Sequence, residues 1–274
     1  MGVEQLGGGS FYGSVQNKRE LADVIFTDLQ HNTARKMPLH SHELPFFALI
    51  LDGNYAERYG RQQNQFGPFT LCFRPAGIPH QDEVGAGGVK FFEMEIRPEW
   101  NKRLQACGGN LDFPCDDCGG GNLLWLALRL FRETRVAVPA DDICVESQVA
   151  ELLAAAAHMP SEKIKDAPSW LRRVVDKIES QHCQKLTLAE LSAEAGVHPV
   201  HLSRVFRKCK RDGIGDYIRR LRIKAACERM LMPENTLADI SFDTGFADQS
   251  HFTRVFRGFA GMSPEKFRKI LGAA

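Results

Sequence analysis

No apolar run of 18 residues occurs in this chain of 274, so nothing in it reads as a membrane-spanning helix. The start, Met1-Gly2 followed by a polar, glycine-containing leader, lacks the charged-then-apolar build of a secretory signal, and the protein is expected in the cytoplasm. There is no glycine-rich phosphate loop and no convergent catalytic triad, which argues against an enzyme. Eight cysteines are present, but the only cluster is Cys115-Asp116-Asp117-Cys118. A lone C-x-x-C lacks the second pair that a structural zinc site needs, and two neighbouring aspartates raise thiol pKa and blunt reactivity. Cys115 and Cys118 are therefore expected in a reduced, nonfunctional loop, with a thiol redox switch as the alternative.

Net charge is also scarce, at +1, but its distribution is uneven. From Pro168 to Ala274 there are 19 Lys and Arg against 12 Asp and Glu, whereas residues 1–167 carry 16 against 22. A basic carboxyl-terminal half attached to an acidic amino-terminal half suits a partner of phosphate chemistry for one half only.

The basic half contains one motif twice. Leu188-Ala189-Glu190-Leu191-Ser192-Ala193-Glu194-Ala195-Gly196-Val197 matches Leu237-Ala238-Asp239-Ile240-Ser241-Phe242-Asp243-Thr244-Gly245-Phe246 in its apolar, acidic and glycine positions. A short polar turn follows each, and then Leu202-Ser203-Arg204-Val205-Phe206-Arg207 matches Phe252-Thr253-Arg254-Val255-Phe256-Arg257. Two helices joined by a tight turn with glycine, the second helix carrying exposed arginine, suit insertion into the DNA major groove. Two copies are too few for a solenoid, which generally needs three or more to bury a continuous core.

These residues resemble the AraC/XylS family of bacterial transcription regulators over roughly Ser169 to Ile270. The resemblance is most specific from Gly245 through Arg257 and on through Gly261-Met262-Ser263-Pro264-Glu265-Lys266-Phe267-Arg268. It implies an all-α DNA-binding domain with two helix-turn-helix units. The chain departs from the family pattern at Lys210-Arg211-Asp212-Gly213, where the glycine that commonly follows the first unit is displaced.

Helical periodicity assigns faces within each unit. Thr187 is expected to cap the helix from Leu188 to Ala195, with Glu190 completing a capping box. His198 and Pro199 open the next helix, in which Leu202, Val205 and Phe206 face the core and Val200, Ser203, Arg204 and Arg207 face outward. In the second unit Asp248 caps, and Gln249, Ser250, Thr253, Arg254 and Arg257 are presented. Arginine suits guanine, glutamine suits adenine, and a threonine or valine methyl suits thymine. The resemblance points to the same positions. Lys208, Lys210 and Arg211, with Arg207 and Arg257, are expected at phosphates, where they position the protein without reading sequence. Between the units, Gly215 to Met232 reads as one helix of about 27 Å at about 1.5 Å per residue, comparable to the spacing of successive major grooves.

The acidic half shows short apolar runs, Phe46–Leu51, Phe69–Phe73 and Val89–Ile96, which predict a small antiparallel barrel or sandwich. His40-Ser41-His42-Glu43 precedes the first run, and Arg74-Pro75-Ala76-Gly77-Ile78-Pro79-His80 follows the second. The region resembles, more loosely, the cupin sensory domain common in the family. Its second signature is close; its first keeps the paired histidines but has Phe46 near the place of the pattern's metal-binding glutamate. His40, His42 and His80 are metal candidates only, and no metal or other cofactor is expected. A barrel interior that holds a small organic molecule is preferred, with His42, Phe46, Arg74 and His80 as contacts and Phe47, Phe73 and Phe91 as further lining.

After Pro98 the chain turns helical, with apolar periodicity over Leu123 to Phe131 and Ile143 to Ala157. The expected architecture is α+β in two domains. Residues 1–158 form a cupin-like β-barrel with flanking helices, of which about 120–158 serve dimerisation or cover the barrel. Residues 159–168 are a linker, and 169–274 are the DNA-binding domain. The function expected is a DNA-binding transcription regulator that senses a small-molecule effector, acting as a homodimer with promoter DNA and RNA polymerase as partners and no membrane association. The alternatives are a metal-dependent cupin enzyme carrying a DNA-binding module and a thiol-based redox-sensing regulator.

Overall fold

The strands of the amino-terminal half are β1 (Glu4–Leu6), β2 (Ser14–Leu21), β3 (Val24–His31), β4 (Arg35–Lys36), β5 (His40–His42), β6 (Phe46–Tyr59), β7 (Gln62–Phe66), β8 (Thr70–Arg74), β9 (His80–Ile96) and β10 (Cys115–Asp117). The computed structural model describes residues 3–117, 121–135, 142–157, 168–210 and 212–272. Within it the chain divides into two units, Met1–Met159 and Pro160–Ala274. Cys118, Arg211 and residues 159–167 of the expected linker lie outside the described residues.

All ten described strands join one sheet. Its spine is β9, which pairs with β3, β4, β5 and β6. β1 runs parallel to β5, and every other described pairing is antiparallel. Because side chains alternate along a strand, neighbours on β6 face opposite sides. Phe46, Ala48 and Ile50 join Leu29, Cys72 and Phe91 in one buried cluster. Phe47 instead meets Phe73, with ring centres 4.7 Å apart. The expected lining therefore splits: Phe46 and Phe91 share a face, and Phe47 and Phe73 do not belong to it.

Three helices follow: α1 (Pro98–Ala106), α2 (Asn122–Glu133) and α3 (Asp142–Ala157). α2 is buried along nearly its whole length, from Leu123 to Leu128 and at Leu130 and Phe131. Phe131 stands edge-on to Phe92, 5.2 Å away, and Phe92 stacks on Phe26. Arg135 pairs with both carboxylate oxygens of Asp28, at 2.5 and 2.6 Å, and the Trp100 indole donates to the Ala22 carbonyl at 2.7 Å. These helices cover the sheet face that carries Phe26 and Phe92.

The second unit is helical: α4 (Ser169–Gln181), α5 (Leu188–Ala195), α6 (Pro199–Lys210), α7 (Ile214–Met230), α8 (Leu237–Asp243), α9 (Gln249–Ala260) and α10 (Pro264–Leu271). Leu171, Val174, Ile178, Leu191, Leu202, Phe206 and Leu221 form the core of its first half. In the second half the rings of Phe252, Phe256 and Phe267 meet edge-to-face in series at 5.7 and 5.2 Å. The linking helix was expected over Gly215 to Met232; it starts one residue earlier and ends at Met230, with Leu231 as its cap.

Candidate DNA interface and sensor site

In the first helix-turn-helix, Thr187 accepts a hydrogen bond from the Glu190 N–H and the Glu190 carboxylate accepts from the Thr187 N–H, so α5 begins with a closed capping box. Gly196 ends α5 in the left-handed region at φ 67°, and the Val197 N–H returns to the Ser192 carbonyl. The His198 imidazole then accepts from the Val200 N–H at 3.3 Å, so His198 does cap α6. Leu202 and Phe206 are fully buried, which forces Val200, Arg204 and Arg207 outward; Val200 is 68% exposed and Ser203 is half-buried.

The second unit repeats this with its own chemistry. Thr236 caps α8 and Asp248 caps α9, where its carboxylate accepts from the His251 N–H at 2.7 Å. Phe252 and Phe256 are buried, leaving Gln249, Ser250, Arg254 and Arg257 exposed and Thr253 half-buried. Sequence reasoning missed Arg222 of α7. Its guanidinium donates to the carbonyls of His182 at 2.6 Å, Gln184 at 2.8 Å and Gly245 at 2.5 Å, and so ties the end of α4 to the turn of the second unit.

Seven cations of this unit are held by carboxylates or backbone carbonyls. Arg219, Arg220, Lys224, Arg229 and Lys177 each pair with a carboxylate. Arg222 and Arg268 are spent on backbone carbonyls. Arg204, Arg207, Arg254 and Arg257 have no ion pair among the described residues, and all four lie on the outward faces of α6 and α9. A guanidinium left solvated on the second helix of each unit is available for base edges or phosphates.

In the sheet unit, the three histidines come together at the amino-terminal end of β9. His40 pairs in register with His80 on the adjacent strand rather than across a barrel. The imidazole centres are 4.4 Å apart for His40 and His80, 5.2 Å for His40 and His42, and 5.4 Å for His42 and His80. All three are buried, and Phe46 packs on His42 at 4.6 Å. The amino-terminal segment closes over them, with Phe11 4.9 Å from His42 and Tyr12 edge-on to His40. Burial, with His80 and His40 nearby, depresses His42 to about 3, and burial also lowers His40 despite the opposing pull of Asp82.

Asp82 was not foreseen. Its Oδ2 lies 3.4 Å from His40 Nε2 and 3.8 Å from His80 Nε2, while the Tyr55 hydroxyl donates to its Oδ1 at 2.7 Å. The signal was present in the sequence: Asp82 follows His80 at the same strand spacing that separates His40 from His42. Arg74 does not reach the histidines. It is buried in an ion pair with Glu57 and bonds Asp116 at 2.7 Å, so it is committed within the fold rather than free to meet an effector. Burial also leaves Glu93 Oε2, Glu95 Oε1, Thr27 Oγ1 and His42 Nδ1 without a hydrogen-bond partner among the described residues.

Of the C-x-x-C segment, Cys115, Asp116 and Asp117 are described, and they take structural positions. Cys115 lies in β10, not in a loop, and pairs in register with Phe73. Burial, together with Asp116, pushes its thiol up to about 12, opposite to what a redox nucleophile needs. Asp116 serves Arg74, and Asp117 accepts from the Gly121 and Leu124 N–H groups at the start of α2.

Comparison with known proteins places the helical half. Residues 191–270 match the family model described as a helix-turn-helix domain. The chain is 28% identical over 110 residues, 40% of its own length, to the bifunctional transcriptional activator/DNA repair enzyme AdaA of Bacillus subtilis, and this match spans about half, 52%, of that protein. It is 30% identical over 108 residues to the regulatory protein SoxS of Escherichia coli, covering 39% of this chain and 94% of SoxS. ToxT from Vibrio cholerae aligns over 90% of this chain and 98% of its own, at 12% identity and a TM-score of 0.39. With its two capped helix-turn-helix units and a match over nearly the whole of SoxS, the chain belongs to the AraC/XylS family of transcription regulators.

Proposed function

We propose that this protein is a ligand-responsive transcription regulator. Its two helix-turn-helix units read adjacent major-groove segments of promoter DNA, and its sheet unit binds a small molecule that alters that engagement. The observation that carries the reading is that each outward face, of α6 and of α9, presents two exposed guanidiniums without an ion pair among the described residues, Arg204 with Arg207 and Arg254 with Arg257; Arg172 and Arg173 of α4 are likewise exposed and unpaired among the described residues. Val200, Ser203, Gln249, Ser250 and Thr253 complete the two reading faces, and Lys208 and Lys210 lie at the end of α6 where phosphates pass. Coupling follows if the effector favours one of two domain arrangements that differ in DNA affinity.

Support for a polar ligand in the sheet unit comes from its buried, unpartnered acceptors, since native interiors leave few such atoms unsatisfied. His42, Phe46 and His80 remain the contacts on this reading, and Arg74 passes to a supporting role. Homodimerisation through the helical segment and contact with RNA polymerase belong to the same proposal. α2 itself is taken up in covering the sheet, so α3 is the helix assigned to the subunit interface on this reading. The test is to pass the purified protein through sheared genomic DNA at near-physiological salt and sequence what it retains. A few promoters sharing a two-block motif about one helical turn apart are expected. Diffuse retention, repeated with residues 168–274 alone, would overturn double readout.

A further inference from the structure

We propose that the molecule bound by the sheet unit is a small organic cation, an alkylamine whose ammonium group is held by Glu93 with Glu95 and whose carbons lie beside Phe46 and Phe91. This names a ligand class and rests on the reading of the sheet unit as the effector-binding half.

Strand register lays the groups out in rows on one face of the sheet. Thr27, Glu93, Ala48 and Cys72 stand side by side on β3, β9, β6 and β8. Glu95 pairs with Phe46 in the row on one side, and Phe91 pairs with Ile50 in the row on the other. Directly opposed residues on paired strands share a face, and Phe46, Ala48, Ile50, Cys72 and Phe91 do pack in one buried cluster. The Glu93 carboxyl therefore has small side chains along its own row and an aromatic ring in each flanking row.

This carboxyl is left without a partner. Glu93 is 3% exposed, and neither its Oε2 nor Glu95 Oε1 has a hydrogen bond among the described residues. The Thr27 hydroxyl, in register with Glu93, is buried and equally unsatisfied. Interiors leave few such atoms, and a lone buried carboxylate is among the most unfavourable. The charges that bear on Glu93 are Glu95 and Asp82, both negative, and with burial they push it well above the ordinary carboxylate range. Lys18, Arg97 and the Gly9 N–H, 2.6 Å from Oε2, relieve Glu95 in part, yet burial still raises it to about 7. Arg74, in register with Phe46, is bound to Glu57 and Asp116, and burial keeps His42 neutral. A fatty acid or a phosphate would meet carboxyls here. An ammonium group donates three hydrogen bonds, enough for the two carboxyl oxygens and the Thr27 hydroxyl, and rings such as Phe46 and Phe91 favour a cation over a neutral group of the same shape.

The test is calorimetry and thermal melting of the full chain with ammonium, n-butylamine, 1,4-diaminobutane and benzylamine chlorides, set against butan-1-ol and sodium butyrate at equal ionic strength. Saturable binding of at least one amine, one per chain, is expected, with none of the alcohol or the acid. Glu93→Gln keeps the shape and removes the charge. It should weaken the bound amine about tenfold or more and, without ligand, melt no lower than wild type, because a carboxyl kept for a ligand destabilises the empty fold. Absence of amine binding by wild-type protein of native circular dichroism would overturn the proposal, as would butan-1-ol binding as tightly as n-butylamine. Equal amine affinity in Glu93→Gln, or a lower melting temperature of that variant without ligand, would overturn the role of Glu93. Promoter retention with and without the bound amine separates the two readings. Amine binding with unchanged DNA engagement keeps the ligand class and removes its role as effector, whereas DNA engagement that responds to another class of molecule, in a protein that binds no amine, does the reverse.

Discussion

Gly196 and Gly245 hold the same place in the two units, yet different forces hold them there. Both have positive φ, at 67° and 81°. A Cβ on Gly196 would meet nothing within 4 Å, while one on Gly245 would fall 2.3 Å from the Cys183 carbonyl oxygen. Gly196→Ala is therefore expected to cost about 1 kcal/mol, the left-handed backbone penalty alone, and Gly245→Ala upwards of about 3 kcal/mol because backbone must move. Urea unfolding of both variants checks this; equal losses would mean that the Cys183 approach relaxes freely. Both glycines were legible as helix stops, but the Cys183 contact was not, because nothing in local pattern brings the α4–α5 connection beside the second turn. Arg254 carries the sharper functional expectation. Arg254→Ala should lose about 1–3 kcal/mol at a single base position, measured on duplexes varied one base at a time. Uniform weakening on every sequence would instead place Arg254 on a phosphate.

Elements were readable where local chemistry announces them. Thr187 with Glu190, and Asp248 before Gln249, mark helix starts by short-range rules, and both caps form. Asp248→Ala is expected to cost about 1 kcal/mol and to loosen α9 selectively, seen as faster amide exchange in its first turn than in α6; equal exchange would mean that packing of Phe252 and Phe256 alone holds the helix. The β2–β3 hairpin was not readable. Its two-residue turn is Ala22-Asp23, at φ 49° and 57°, where Asn-Gly or Asp-Gly would be the usual signal. β2 is also exposed at nearly every position, so no apolar alternation betrays it. β6 and β9 run well past their apolar runs because β7 and β4 supply ladder partners for more polar halves. The histidine cluster was legible as residues but not as a geometry, since the pairing of His40 with His80 is a fact of register.

At the scale of the whole molecule, a basic reading unit is joined to an acidic sheet unit, and the charge asymmetry of the sequence follows that division. Within the reading unit, Arg222 fastens the turn of the second helix-turn-helix to the segment after α4, which packs with the first, and α7 runs between them. Two readers clamped in this way are expected to meet DNA as one rigid frame. Each base pair inserted between the two blocks of an operator turns the second block by about a tenth of a revolution. One insertion should weaken binding markedly, and five should leave only the affinity of a single unit, measured by gel shift on a spacer series. Arg222→Ala should flatten that dependence, and a wild-type protein indifferent to spacer length would show that the units move separately. On the proposed double readout, an operator for this protein is expected to be held more tightly to its length than to its intervening letters: substitutions between the blocks should be tolerated where deletions are not, so that sites drift by exchange of bases rather than by slippage.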